Sequence, residues 1–331
     1  MAAAAVDAGV LATLGRILGH EVQMAPDGFP TVAPAKLKML AQVPHPFPYQ
    51  GSKRALAHAI VCFLPEDTET LIEPFAGSAA ISIAARFANL ARKSVIADLN
   101  APLMGLWQRI IDDPIGLADD YERMWIDSEA DPKAYFLAQR AVFNQSKEPA
   151  VLLYLLNRIV KGAVRYSQNG DFNQSADNRR RGAKPVTVRQ RLIDVSATML
   201  GTEVHAVSYE SLLVNARELD VVYMDPPYQG VTDVADHRYC AGLRRLDYEV
   251  ALRDANANGV SYMVSYDAVR EDNKYGEPLS SDLGLTHLHL SAGQSAQATL
   301  SGEREETLES LYLSPALVRR LESKSSNSLF G

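Results

Sequence analysis

With 331 residues, 47% of them hydrophobic, the chain has enough apolar mass to bury one large α/β core with room for a smaller inserted unit. Its two cysteines, Cys62 and Cys240, lie far apart, which argues against a disulfide framework or a cysteine zinc site and fits a reducing compartment. The net charge of −7 speaks mildly against a nucleic-acid partner, but residues 158–191 carry nine basic side chains against Asp171 and Asp177.

Residues 1–44 hold two short helical patterns, the first with Leu11, Leu14 and Leu18 on one face, separated by Pro26, Gly28 and Pro30. They read as an extension packed on the main body. The alanine-rich start lacks a basic leader and a long apolar stretch, so neither a signal peptide nor a membrane span is expected. After Pro44, apolar strand-like runs alternate with helical ones, the pattern of a doubly wound sheet. Strands are expected near 70–74, 94–98, 204–208, 220–224, 259–265, 285–290 and 309–313, a seven-stranded sheet whose last two members form an antiparallel hairpin at an edge. Between 112 and 203 the alternation gives way to helical patterns and the basic segment. The chain therefore divides into an extension (1–44), a first part of the main domain (45–111), a mainly helical insert (112–203), the rest of the main domain (204–320) and a Ser-rich flexible tail (321–331).

The sharpest motif is Asp225-Pro226-Pro227-Tyr228, directly after the apolar run at 221–224. Chance would place this tetrapeptide in about one chain of this length in a thousand. Its residue types suit one reaction. An amine conjugated to an aromatic ring is a poor nucleophile, and the Asp225 carboxylate with the Pro226 carbonyl forms an acceptor pair that bonds both amine hydrogens and pulls the nitrogen toward tetrahedral geometry. The two prolines stiffen that carbonyl, and Tyr228 offers a face on which an extruded base can stack. A second motif, Glu73-Pro74-Phe75-Ala76-Gly77-Ser78, ends a strand and opens a helix, with Gly77 letting a ligand approach the backbone. Asp98 ends the next strand 21 residues after Gly77, a spacing suited to ribose hydroxyls. Ahead of a helix expected near Ala55, Tyr49-Gln50-Gly51-Ser52-Lys53 reads either as an anion site suited to a carboxylate or as a solvated loop. The histidines suggest no metal site; His287 and His289 alternate as ordinary strand residues.

These blocks, in this order, resemble the Dam-like class of DNA adenine methyltransferases over roughly residues 46–315. Four carry the resemblance: Tyr49 to Lys53, Glu73 to Ser78, Ala97 to Asn100, and Asp225 to Tyr228. A fifth lies in the insert, where Leu156-Asn157-Arg158, Gly162, Arg165-Tyr166, Gly170 and Phe172-Asn173 follow the family's helix and hairpin against DNA. The resemblance implies a Rossmann-like S-adenosylmethionine (SAM) fold, SAM contacts at Tyr49, Lys53, Glu73, Phe75, Gly77, Asp98 and Asp225, and a target-base pocket from Asp225 to Tyr228. It further implies double-stranded DNA as partner, contacted by Lys161, Arg165, Arg179, Arg180 and Arg181, no metal, and a cytoplasmic, nucleoid-associated enzyme of prokaryotic or phage origin, compatible with a cognate restriction or defence system. Val264-Ser265-Tyr266-Asp267 stands where the family has a Ser-Asn loop near that pocket. Ala79 and Ser52 replace glycines of the family, and Val160-Lys161-Gly162 stands where GATC-reading members have Tyr-Asn-Gly, so GATC is not implied. Competing readings are a cytosine-N4 or RNA-adenine methyltransferase and a non-catalytic SAM-fold subunit; intact Asp225, Tyr228, Lys53 and Asp98 disfavour the last.

Overall fold

The computed structural model describes residues 15, 22–24, 29–32, 42–167, 169–227, 243–270, 273–275, 278–294 and 306–327. Its strands are β1 (Gln23–Met24), β2 (Pro30–Val32), β3 (Thr70–Glu73), β4 (Lys93–Ala97), β5 (Glu203–His205), β6 (Val221–Met224), β7 (Tyr262–Arg270), β8 (Asn273–Tyr275), β9 (Thr286–Gln294) and β10 (Glu306–Leu313). Its helices are α1 (Ala57–Ile60), α2 (Ala80–Phe87), α3 (Ala101–Asp112), α4 (Pro114–Asp127), α5 (Pro132–Ser146), α6 (Pro149–Arg158), α7 (Pro185–Thr198), α8 (Tyr209–Asn215), α9 (Arg245–Ala257) and α10 (Pro315–Asn327). None of the described helices is long and apolar enough to cross a membrane.

The strands form one sheet in the order β1-β2-β9-β10-β7-β6-β3-β4-β5, with β8 paired to β7. Strands β3 to β7 run parallel. Strand β10 is antiparallel to both β7 and β9, so the expected edge hairpin partners are neighbours. All seven expected strands are present, but the seven-stranded sheet becomes one of ten strands among the described residues. The extra width comes from β8 and from the β1–β2 pair, which lies in the interval read as a separator and joins β9 through β2. The helical pattern at Leu11, Leu14 and Leu18 lies outside the described residues. At the other end, α10 runs to Asn327, into the stretch read as a flexible tail, because Leu317 and Leu321 give it an apolar stripe buried against the sheet.

Alternation along the strands divides the core. Leu71, Val221, Tyr223, Met263, Leu311 and Leu313 face one apolar cluster, shared with α2, α3 and α10. Ile72, Val222, Met224, Val264 and Tyr312 face the other, shared with α8 and α9. A strand covered on both faces needs apolar residues at consecutive positions, which is why β6, at the centre, reads as an unbroken apolar run. Side chains of α4 to α7, such as Tyr121, Phe143, Leu155 and Leu192, belong to the first cluster. Strand order reverses between β3 and β6, each of which leads to a motif at its carboxyl end, and such a reversal opens a crevice for ligands.

Candidate active site

The turn after β3 is held by buried Glu73, whose Oε2 accepts a hydrogen bond from Ser82 N at 2.8 Å inside α2. Burial pushes this carboxyl up to about 7, against the pull of the Ser82 and Ile81 bonds. Gly77 has φ +49°, and a Cβ there would stand 3.0 Å from the Tyr49 ring. A side chain at 77 would thus be strained and would press on Tyr49. Ala79, where the family has glycine, is also left-handed, with φ 48° and ψ 39°, just before α2. A non-glycine residue accepts that conformation at a cost of about 1–2 kcal/mol.

Asp98, after β4, accepts from Gly77 N through Oδ2 at 3.2 Å and from Asn100 N through Oδ1 at 2.9 Å. Burial raises its pKa, with the two backbone bonds opposing. Asn100 caps α3 by accepting from Leu103 N at 3.2 Å, and its Nδ2 donates to Tyr166 OH at 3.1 Å. That last bond joins the β4 turn to a small hairpin in which Tyr166 and Phe172 pair as an isolated bridge.

Asp225 follows β6, and its Oδ1 lies 3.0 Å from Lys53 Nζ. The same ammonium is 3.1 Å from Glu309 Oε2 on β10. Lys53 is only 7% exposed, so two carboxylates enclose one buried cation. Burial pushes the Asp225 carboxyl up to about 6; Lys53 opposes the rise and Glu309 adds to it. Lys53 was expected to serve a free anion site at a helix start near Ala55. It instead begins a three-residue 3-10 turn, and its charge is already taken up by the chain's own carboxylates. Ser265 and Tyr266, which stand where the resemblance implies a loop near the pocket, lie within β7, which runs on past the expected strand end at 265. Tyr266 stacks on Tyr248 with ring centroids 5.8 Å apart, and Ser265 Oγ hydrogen-bonds Tyr223 OH at 2.9 Å, so both serve the core. Tyr228 lies outside the described residues.

A cavity of about 880 Å³ opens over these strand ends. Tyr49, Lys53, Glu73, Phe75, Gly77, Asp98, Asp225, Pro226 and Pro227 all line it. Sequence reasoning gave no place in this pocket to four further contributors, although Asn100 and Tyr166 stand within the blocks that carry the resemblance. Tyr209 stacks on Phe75 at 5.3 Å, and Asn100 and Tyr166 close another wall. Glu309 anchors Lys53; nothing local marks it, because Glu306, Thr307 and Ser310 on the same strand are polar too.

The basic segment is less uniformly available than its charge count suggests. Arg165 is exposed on the hairpin, two residues before the Ser167 N to Asp171 O bond of 2.7 Å. Arg179 and Arg180 both pair with Asp177, at 3.0 Å each, while their own side chains stay 76% and 66% exposed. Arg181 pairs with Glu129 at 3.2 Å and lies over the Trp125 ring at 4.0 Å. Lys161 sits in a short 3-10 turn whose neighbour Gly162, φ +64°, abuts the Pro48 carbonyl so closely that a Cβ would lie 2.3 Å from its oxygen.

Comparison with known proteins identifies relatives of the chain. Over 227 residues the chain is 27% identical to a DNA adenine methylase of Vibrio cholerae, covering 66% of this chain and 79% of that one. It is 24% identical to the type II methyltransferase M1.LlaDCHI of Lactococcus lactis subsp. cremoris over 284 residues, 80% of this chain and 94% of the other. A DNA adenine methylase of Escherichia coli K12 is 27% identical over 192 residues, 57% of this chain and 66% of its own. The model of the D12 class N6 adenine-specific DNA methyltransferases matches residues 49–295. The chain, with its Asp225 motif and Asp98 on one cavity, therefore belongs to that family and is an adenine-specific DNA methyltransferase.

Proposed function

We propose that the cavity holds SAM beside the target adenine, and that residues 112–203 present the DNA while residues 45–111 and 204–320 carry the chemistry. The observation that carries this reading is that Asp225-Pro226-Pro227 and the Gly77–Asp98 turn, from opposite sides of the strand-order reversal, line one cavity. Its volume suits a cofactor-sized ligand. Asp98, fixed by two backbone amides, takes ribose hydroxyls; Gly77 gives close access to the backbone; Tyr49 and Phe75 supply flat apolar faces. The donor set fits SAM, which supplies a methyl group on a cationic sulfur.

The adenine reaches this depth only by leaving the helix stack, and Tyr228 is the residue assigned to stack on it. Asp225 and the Pro226 carbonyl accept the two hydrogens of N6. Lys53 keeps Asp225 oriented and limits how far burial can favour its protonated form. Arg165 is assigned to base edges, and Lys161, Arg179, Arg180 and Arg181 to phosphates. The seven strands β3, β4, β5, β6, β7, β9 and β10 form the Rossmann-like unit, and β1 and β2 belong to an extension. The enzyme is read as cytoplasmic.

Asp225→Ala tests the assignment. Lys53 keeps Glu309 as a partner, so the fold should survive while methyl transfer to DNA falls by about 10²-fold or more. A folded variant with a near-parental rate would overturn the mechanism.

A further inference from the structure

Glu309 sits on β10 where pairing with β7 shifts register between Glu309 and Leu311. Such a bulge re-aims side chains next to it. Glu309 Oε2 is buried, lies 3.1 Å from Lys53 Nζ, and makes no aligned hydrogen bond among the described residues. The contact is therefore one of charge. A lone Lys53–Asp225 pair would let the ammonium settle fully on Asp225 and occupy the oxygens needed for an incoming amine. With Glu309 present, the ammonium is shared.

We infer that Glu309 is a positioning residue for methyl transfer: it draws Lys53 away from full pairing with Asp225, leaving the Asp225 carboxylate an electron-rich acceptor for the target amine. The inference rests on the role proposed above for Asp225. Groups facing that carboxylate come from every neighbouring element: Lys53, Glu309, Glu73 on β3, Tyr223 on β6 and Tyr248 on α9. Among these, Glu309 is a second carboxylate beside Asp225's cation and belongs to neither the β3 turn nor the apolar clusters. Removing its negative charge makes Asp225 easier to ionise and a weaker acceptor.

The test compares Glu309→Gln and Glu309→Asp in the full-length protein. Rates are measured across pH, SAM affinity by calorimetry, and folding by thermal melting. Glu309→Gln should lower the plateau rate about tenfold, move the acid limb of the pH profile down by about one pH unit, and change SAM affinity less than about threefold. Glu309→Asp keeps the charge and should leave the acid limb in place. A purely structural role predicts the reverse ranking, since glutamine is the better steric match. Overturning results are an unmoved acid limb in a folded Glu309→Gln protein, or a limb that moves equally in both variants. A tenfold loss of SAM affinity without a limb shift would also overturn it, placing Glu309 in the cofactor site. If Asp225→Ala is inactive yet Glu309→Gln behaves as the parent, this inference alone fails. If Asp225→Ala stays active, the reading beneath it fails.

Discussion

Glu73 shows how a single side chain can serve the site at a cost to the fold. Its carboxyl is pushed from 4.5 to about 7, chiefly by burial, so between those values the folded protein holds a proton that the unfolded chain has released. Stability from this group is therefore fully present below the unfolded value and declines as pH rises through the window. Glu73→Gln retains an acceptor for Ser82 N and removes the charge. It should melt higher than the parent above pH 7, by up to about 3 kcal/mol of stability, with the gap closing near pH 4.5. Melting curves across that range decide it, and a gap independent of pH would show that ionised Glu73 is not the source. Residues of this kind were legible where a short motif fixes both chemistry and place, as with Asp225, Gly77 and Asp98. Glu309 was not, because its role depends on a lysine far away in sequence that only the sheet brings within 3.1 Å.

Among the elements, the hairpin and the arginine run differ in how each is tied down. Arg165 projects from a hairpin closed by the Tyr166–Phe172 bridge, whereas Arg179 and Arg180 share one acidic partner. The sequence count of basic residues overstated the free charge because Asp177, Glu129, Asp119 and Glu122 come from outside or inside the segment to meet it. Arg165→Ala should relax one position of the recognised sequence, since a bidentate contact to guanine is worth about 1–3 kcal/mol. Joint replacement of Arg179 and Arg180 by Ala should keep the sequence, weaken binding to all DNA, and reduce the salt slope by up to about 0.9 per lost contact. Arg181 is best left in place, because it also covers Trp125. Methylation profiling of both variants checks this. A changed motif in the double variant, or no change at all with Arg165→Ala, would reverse the roles.

In the molecule as a whole, β6 was legible because it is buried on both faces and reads as an apolar run, and β3 nearly so, whereas β5, exposed at the end of the sheet, offered little beyond Val204. Strands β1, β2 and β8 were not legible: each has two or three residues, and β2 begins with Pro30, so no periodicity can accumulate. Yet β2 covers the outer edge of β9. Deleting residues 1–32 should expose that edge and increase self-association, read by sedimentation or light scattering, while SAM binding per chain is retained. A deletion protein that stays as monodisperse as the parent would show the edge to be protected by other means. Gly162 bears on how the parts work together. Its backbone rests on Pro48, and Gln50 N donates to Gly162 O at 3.1 Å, so the segment carrying Lys161 and the loop carrying Lys53 share one joint without slack. A shift of one side alone would break the Gln50–Gly162 bond or press on Pro48. Thermodynamic reciprocity then applies: by whatever factor duplex DNA alters the affinity for the methyl donor, the donor must alter the affinity for DNA by the same factor.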